Sequence, residues 1–134
     1  MEITHSQAQG RVPIMVLQPH GNLDATNYQT LIAKGREVVK AGARDILIDL
    51  SQVPYTSSAG LVALHSIAKL LRGEPSSADG WEAIRSIHRE SGQGLQQHVK
   101  LLNPQPNVNR VLEMAGLKQY FEVYADLAAA VAAF

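Results

Sequence analysis

The chain has 134 residues, 46% of them apolar and 18% charged, which fits one soluble domain built on one core. Twelve basic residues balance twelve acidic ones, so no long-range field favours nucleic acid or an acidic membrane as partner. No cysteine is present, which excludes a disulfide framework, a thiol nucleophile and a cysteine metal site; the N-terminus lacks the basic, apolar pattern of a signal peptide, and no apolar run nears the ~20 residues of a bilayer span, so no membrane insertion is expected and the cytoplasm is the expected compartment.

In chain order, residues 2–7 read as an edge strand and Gln9-Gly10 as a turn. Residues 12–17 form a second strand, with Pro13 near its start, where a missing N–H is tolerated. Pro19-His20-Gly21-Asn22 breaks it. Leu23-Asp24 then opens the first helix, with Asp24 as its cap. Tyr28, Leu31, Ile32, Val38 and Val39 make its inner stripe; Gly35 on the same stripe predicts close approach to the sheet, and Gly42 predicts a C-terminal stop.

The run Ile46-Leu47-Ile48 suits a strand buried on both faces. The chain then turns through Pro54 and Tyr55 and delivers Ser57 and Ser58 to a helix whose Leu61, Leu64, Ala68 and Leu71 share one face; Arg72-Gly73 ends it. Hydroxyls therefore stand where a central strand hands over to a helix, beside free N–H groups and the positive end of the helix dipole. Two roles suit that place. Thr56, Ser57 or Ser58 can cap the helix. Alternatively, a serine there can be phosphorylated, because a phosphate of roughly −1.5 to −2 charges matches a helix N-terminus.

Residues 73–97 change character, being rich in Gly, Ser, Gln and charge. They read as a flexible or partly helical segment, in which Asp79 caps a short helix carrying Trp81, Ile84 and His88 on one side. The segment is either a loop or a contact surface for a partner or for self-association, with Trp81 as its apolar anchor. A strand follows at 98–102, then a loop at 103–106, then a helix capped by Asn107 with Val108, Val111, Leu112 and Ala115 inward. Gly116 ends that helix and Leu117 folds back on it. Residues 120–124 read as the last strand, and Asp126 caps a final helix that docks Leu127, Val131 and Phe134 on the sheet. The order implies an α/β fold: a mixed, mainly parallel sheet of about five strands, the first two antiparallel, the rest joined by right-handed crossovers.

Thr56-Ser57-Ser58-Ala59-Gly60 partly resembles the nucleophile elbow of hydrolases, with Thr56 where the first glycine belongs. His5, His20, His65, His88 and His98 are scattered, and His65, on the serine helix, reads as partly buried and neutral, so a serine hydrolase is only a minor alternative. No histidine pair has metal spacing, no phosphate-binding G-x-x-x-x-G-K loop occurs, and Gly92-x-Gly94 does not follow a strand; no cofactor is expected.

The run Asp49-Leu50-Ser51-Gln52-Val53, followed by Ser57-Ser58-Ala59-Gly60-Leu61, resembles the signature of STAS domains, the family of bacterial anti-sigma factor antagonists and of the cytoplasmic tails of sulphate transporters. Gly21-x-Leu23-Asp24 and the stretch from Val111 to Leu117 with Phe121-Glu122-Val123 resemble the same family, so the likeness covers most of the chain except the insertion at about 73–97. It implies a single STAS-like domain over 1–134 with helices mostly on one face of the sheet, and a non-catalytic signalling module. It further implies phosphorylation at Ser58, with Ser57 as second candidate because it stands where many regulated members carry aspartate. By the same resemblance, Gly21, Asp24, Thr56, Ser57, Ser58, Ala59, Gly60 and Leu61 form the partner surface, for an anti-sigma factor with serine kinase activity, and a serine phosphatase resets the switch. Other family members are constitutive scaffolds in sensory complexes or subunits of lipid-transport machines, which is the alternative function.

Overall fold

The computed structural model describes residues 1–74 and 95–134. Its strands are β1 (Glu2–Gln9), β2 (Pro13–His20), β3 (Ile46–Asp49), β4 (Val99–Leu102) and β5 (Val123–Tyr124). They form one sheet in sequential order, β1 antiparallel to β2 and the remaining neighbours parallel. Helices α1 (Tyr28–Lys40), α2 (Ser58–Leu71) and α3 (Pro106–Met114) connect the parallel strands, and α4 (Leu127–Ala132) closes the described chain. Each crossover steps one strand in the same direction, so crossovers of one hand all land on the same face. There Leu17, Ile46, Ile48 and Leu101 meet Leu31, Leu64, Ile67, Val108 and Leu112 in the main core. The opposite face carries the alternate residues Ile14, Leu47 and Leu102, covered by Ala130 of α4. The expected α/β sheet, with helices mostly on one face, is the observed one.

Several boundaries differ from expectation, each for a local reason. Strand β2 continues through Pro19 to His20. The ladder to β3 spans only Met15 to Leu17, so the absent N–H groups of Pro13 and Pro19 fall beyond its ends. Helix α1 begins at Tyr28, after Asn27, and Asp24 is not its cap. Asp24 instead closes a turn, accepting from the Thr26 N–H at 2.9 Å, while Asn27 Oδ1 accepts the Asp24 N–H at 2.9 Å. Gly35 faces α2, not the sheet: a Cβ there would stand 2.8 Å from Ile67 Cγ1. Helix α2 is buried continuously from Gly60 to Ala68, because α1, the sheet and the 117–121 segment surround it. His65 is accordingly fully buried rather than partly so, its ring 5.6 Å from that of Tyr120.

Helix α3 starts at Pro106, whose fixed φ suits a first helical position, so Gln105 and not Asn107 precedes it. The last strand is only Val123–Tyr124, because Leu117–Gln119 coil into a 3-10 turn that sinks Tyr120 and Phe121 into the core. Asp126 does cap α4, accepting from the Ala129 N–H at 2.9 Å. Of the residues expected to dock α4, Val131 and Phe134 pack on the sheet while Leu127 stays about half exposed; Ala130 is the buried contact. The expected helix at Asp79, with Trp81, Ile84 and His88, lies outside the described residues, as does Gly92-x-Gly94.

Candidate functional site

The site lies at the carboxyl ends of β2, β3 and β4, where connections leave a parallel sheet and where ligands and partners of such sheets usually meet it. At the end of β3, the Asp49 carboxylate accepts from the Ser51 N–H at 3.0 Å and from Gln18 Nε2 at 2.9 Å. Gln105, just before α3, donates from Nε2 to the Ser51 carbonyl at 2.8 Å. The loop after β3 is therefore anchored on one side from β2 and on the other from the segment that follows β4.

The Gly21–Asp24 turn runs beside this loop and is bonded to it. The Gly21 N–H donates to the Gln52 carbonyl, the Leu23 N–H to the Tyr55 carbonyl, and the Ser57 N–H to the Leu23 carbonyl, each at 2.9 Å. Leu23 and Thr56 form a one-residue parallel bridge. Gly21 turns the chain into this path at φ +99°, a conformation that favours glycine.

At the mouth of α2 the hydroxyls have separate duties. Ser57 Oγ caps the helix, accepting from the Ala59 N–H at 3.2 Å. Thr56 is buried at 3% exposure and donates from Oγ1 to the Ser57 carbonyl. Ser58 is the first helical residue, and its side chain is exposed. Gly60 lets the first turn close over the loop: a Cβ there would fall 2.0 Å from Thr56 Oγ1 and 2.9 Å from Leu23 Cδ2. Thr56, Gly60 and Leu61 are buried, so they shape the surface from beneath. Gly21, Asp24, Ser57, Ser58 and Ala59 reach solvent at least in part.

Asp24 is the fixed charge beside this mouth. The hydroxyl of Thr26, and then its N–H, donate to Oδ1 and hold the carboxyl below the usual aspartate range. Tyr55, 47% exposed on a backbone pinned through its carbonyl, is a surface residue that sequence reasoning used only as a turn. The available signal was an aromatic beside a proline in a polar loop, a residue type enriched at interfaces. Among the described residues, no group of three or more His, Asp or Glu side chains is placed to hold a metal ion.

The family model for the STAS domain matches residues 5–74, which carry both the Gly21–Asp24 turn and the helix mouth. The chain belongs to the STAS domain family. Its similarity extends past the matched stretch: a Bordetella bronchiseptica protein, BtrV, named as a candidate anti-sigma factor antagonist, is 29% identical over all of this chain and 95% of its own length. An anti-sigma factor antagonist of Mycobacterium paratuberculosis superposes with a TM-score of 0.65 at 20% identity, covering 98% of this chain and 93% of that one. The phosphorylated form of the Bacillus cell fate determinant SpoIIAA superposes with a TM-score of 0.50 at 17% identity, covering 97% and 96%. These structures show that this chain has the STAS fold of anti-sigma factor antagonists. Among the described residues, no helix of this STAS domain is long and apolar enough to cross a membrane.

Proposed function

We propose that this STAS domain is an anti-sigma factor antagonist that acts by binding, without catalysis of its own, and is switched by phosphorylation of Ser58. The observation that carries the reading is the division of labour at the mouth of α2: Ser57 supplies the cap, which leaves the Ser58 hydroxyl exposed. A group added to Ser58 displaces no hydrogen bond that holds the helix. Phosphorylated SpoIIAA supports the idea that this fold tolerates such a group.

In the unmodified state, Ser58, Ala59, Tyr55 and the Gly21–Asp24 turn dock on an anti-sigma factor with serine kinase activity. Phosphorylation then puts a strongly hydrated dianion at the centre of the contact, next to a surface that already bears ionised Asp24. Burying that dianion without a cationic partner costs several kcal/mol, and about 1.4 kcal/mol is a tenfold loss of affinity. A serine phosphatase reverses the step. Ser57 is the weaker acceptor because its oxygen is already engaged in the cap.

The test combines phosphopeptide mapping of protein from its native cells with the binding of Ser58 variants to the anti-sigma partner. Ser58→Asp is expected to lose binding at least about tenfold while its melting temperature moves by only a few degrees; Ser58→Ala is expected to bind constitutively. Full binding by Ser58→Asp, or a phosphate found only elsewhere, sinks the switch.

A further inference from the structure

The two edges of the sheet are unequal. Strand β5 is two residues long, whereas β1 has eight, Glu-Ile-Thr-His-Ser-Gln-Ala-Gln, all exposed except the half-buried Ile3 and Ala8. The register fixes which of its backbone groups are unpaired among the described residues. The Met15 N–H donates to the Asp45 carbonyl and the Gly21 N–H to the Gln52 carbonyl, so odd-numbered residues of β2 and its continuation aim their N–H groups away from β1. Their register mates on β1 are Ile3, His5, Gln7 and Gln9, opposite Pro19, Leu17, Met15 and Pro13. In an antiparallel ladder these pairs exchange no hydrogen bonds, so those four residues direct N–H and C=O outward. Sheet edges are ordinarily blunted by proline, lysine, a bulge or shortness. Strand β1 has none of these: its pairing with β2 is continuous, and its one formally charged side chain, Glu2, is at its end.

We propose that β1 is a self-pairing edge, and that two copies of this chain join their β1 strands antiparallel about a two-fold axis through Ser6, making one continuous sheet. In this register Ile3 faces Gln9 of the second copy, His5 faces Gln7, and Thr4 faces Ala8. Every outward N–H and C=O of Ile3, His5, Gln7 and Gln9 then has a mate. A second copy suits the edge on charge as well as shape. No like charges stand opposite each other in this register, and a chain of zero net charge does not repel its own kind. The contact is isologous, so it closes at two copies and builds no filament. The mouth of α2 leaves from β3, inside the sheet, and both Ser58 residues stay accessible in the pair. This inference is independent of the phosphorylation reading.

Sedimentation velocity on the full, tag-free chain tests it. The wild type is expected to sediment as a dimer at about 100 μM, a concentration at which a weak edge contact is occupied. Gln7→Pro removes an outward N–H and leaves the ladder to β2 intact, so it is expected to give a monomer with the wild-type melting temperature. His5→Lys combined with Gln7→Lys sets ammonium groups opposite each other across the axis; it is expected to dissociate the pair even if the proline proves disruptive. A wild type that stays monomeric overturns the proposal. So does a lysine double variant that remains dimeric, which assigns association to another surface, such as residues 75–94.

Discussion

The two faces of the sheet are built to different depths. On one, α1, α2 and α3 with Tyr120 and Phe121 bury a continuous core. On the other, among the described residues, the short α4 covers a smaller cluster of Ile14, Leu47 and Leu102, edged by half-buried Val12, Val16 and Tyr124, with polar pairs beside it. Gln18 bonds Asp49 there, Thr4 Oγ1 lies 3.2 Å from His20 Nε2, and buried Lys100 pairs with Glu122 beneath the Phe134 ring. The mouth of α2 belongs to the deep face, where its helix is surrounded and its loop is bonded on both sides, so the phosphorylation proposed at Ser58 would fall on a braced part of the fold. The shallow face adds polar pairs to its small apolar cluster, and among the described residues no strand pairs with the outer side of β1.

Breaking the comparison begins in the deep core. Ile67→Ala removes a fully buried side chain lodged against Gly35, and is expected to cost about 2–5 kcal/mol, read as a lower urea midpoint. On the shallow face Val131→Ala, at a partly buried position, is expected to cost only about 1 kcal/mol. Equal losses would mean that the faces are equally packed.

A smaller effect isolates the helix mouth. Ser57→Ala removes the cap and is expected to cost about 1 kcal/mol, whereas Ser57→Asp restores a capping oxygen and returns the melting temperature to that of the wild type or above. If Ser57→Ala is silent, the cap assigned to that serine is not holding the mouth.

A test of the shallow face that is read from the shape of a pH profile concerns Glu122. Its hydrogen bond from Lys100 is the main cause that holds its carboxyl below the ordinary value of 4.5, outweighing the opposing effect of burial. A depressed folded pKa adds stability that is present above the unfolded value and lost as pH falls through the folded one. Thermal melts between pH 7 and acid should therefore show wild-type stability declining below about 4.5, with a shallower decline in Glu122→Gln. Parallel acid limbs for the two proteins would remove Glu122 from the account.

Much of the site was legible in the chain because its signals are local. Ser57, Ser58, Ala59 and Gly60 lie within one helical turn, and Gly21 and Gly116 mark positive-φ turns that glycine favours. Asp24 misled for a local reason as well: an aspartate before an apolar stripe looks like a cap, but Asn27 and Thr26 engage it in a turn that delays the helix to Tyr28. Leu127 misled because apolar character alone does not say which side of a six-residue helix meets the sheet.

By itself the sequence determined the order of strands and helices, the parallel core with its antiparallel start, and the hydroxyl-rich junction before α2. These follow from periodicity and turn chemistry, which act over a few residues. Only the tertiary structure decided which hydroxyl caps and which is exposed, that the Gly21–Asp24 turn is bonded to the serine loop, and that Gly35 admits Ile67. It also decided that Lys100 is buried against Glu122, and that β1 is an edge strand of the described sheet. Those are pairings between residues distant in the chain, and they exist only once the sheet has brought its strand ends together.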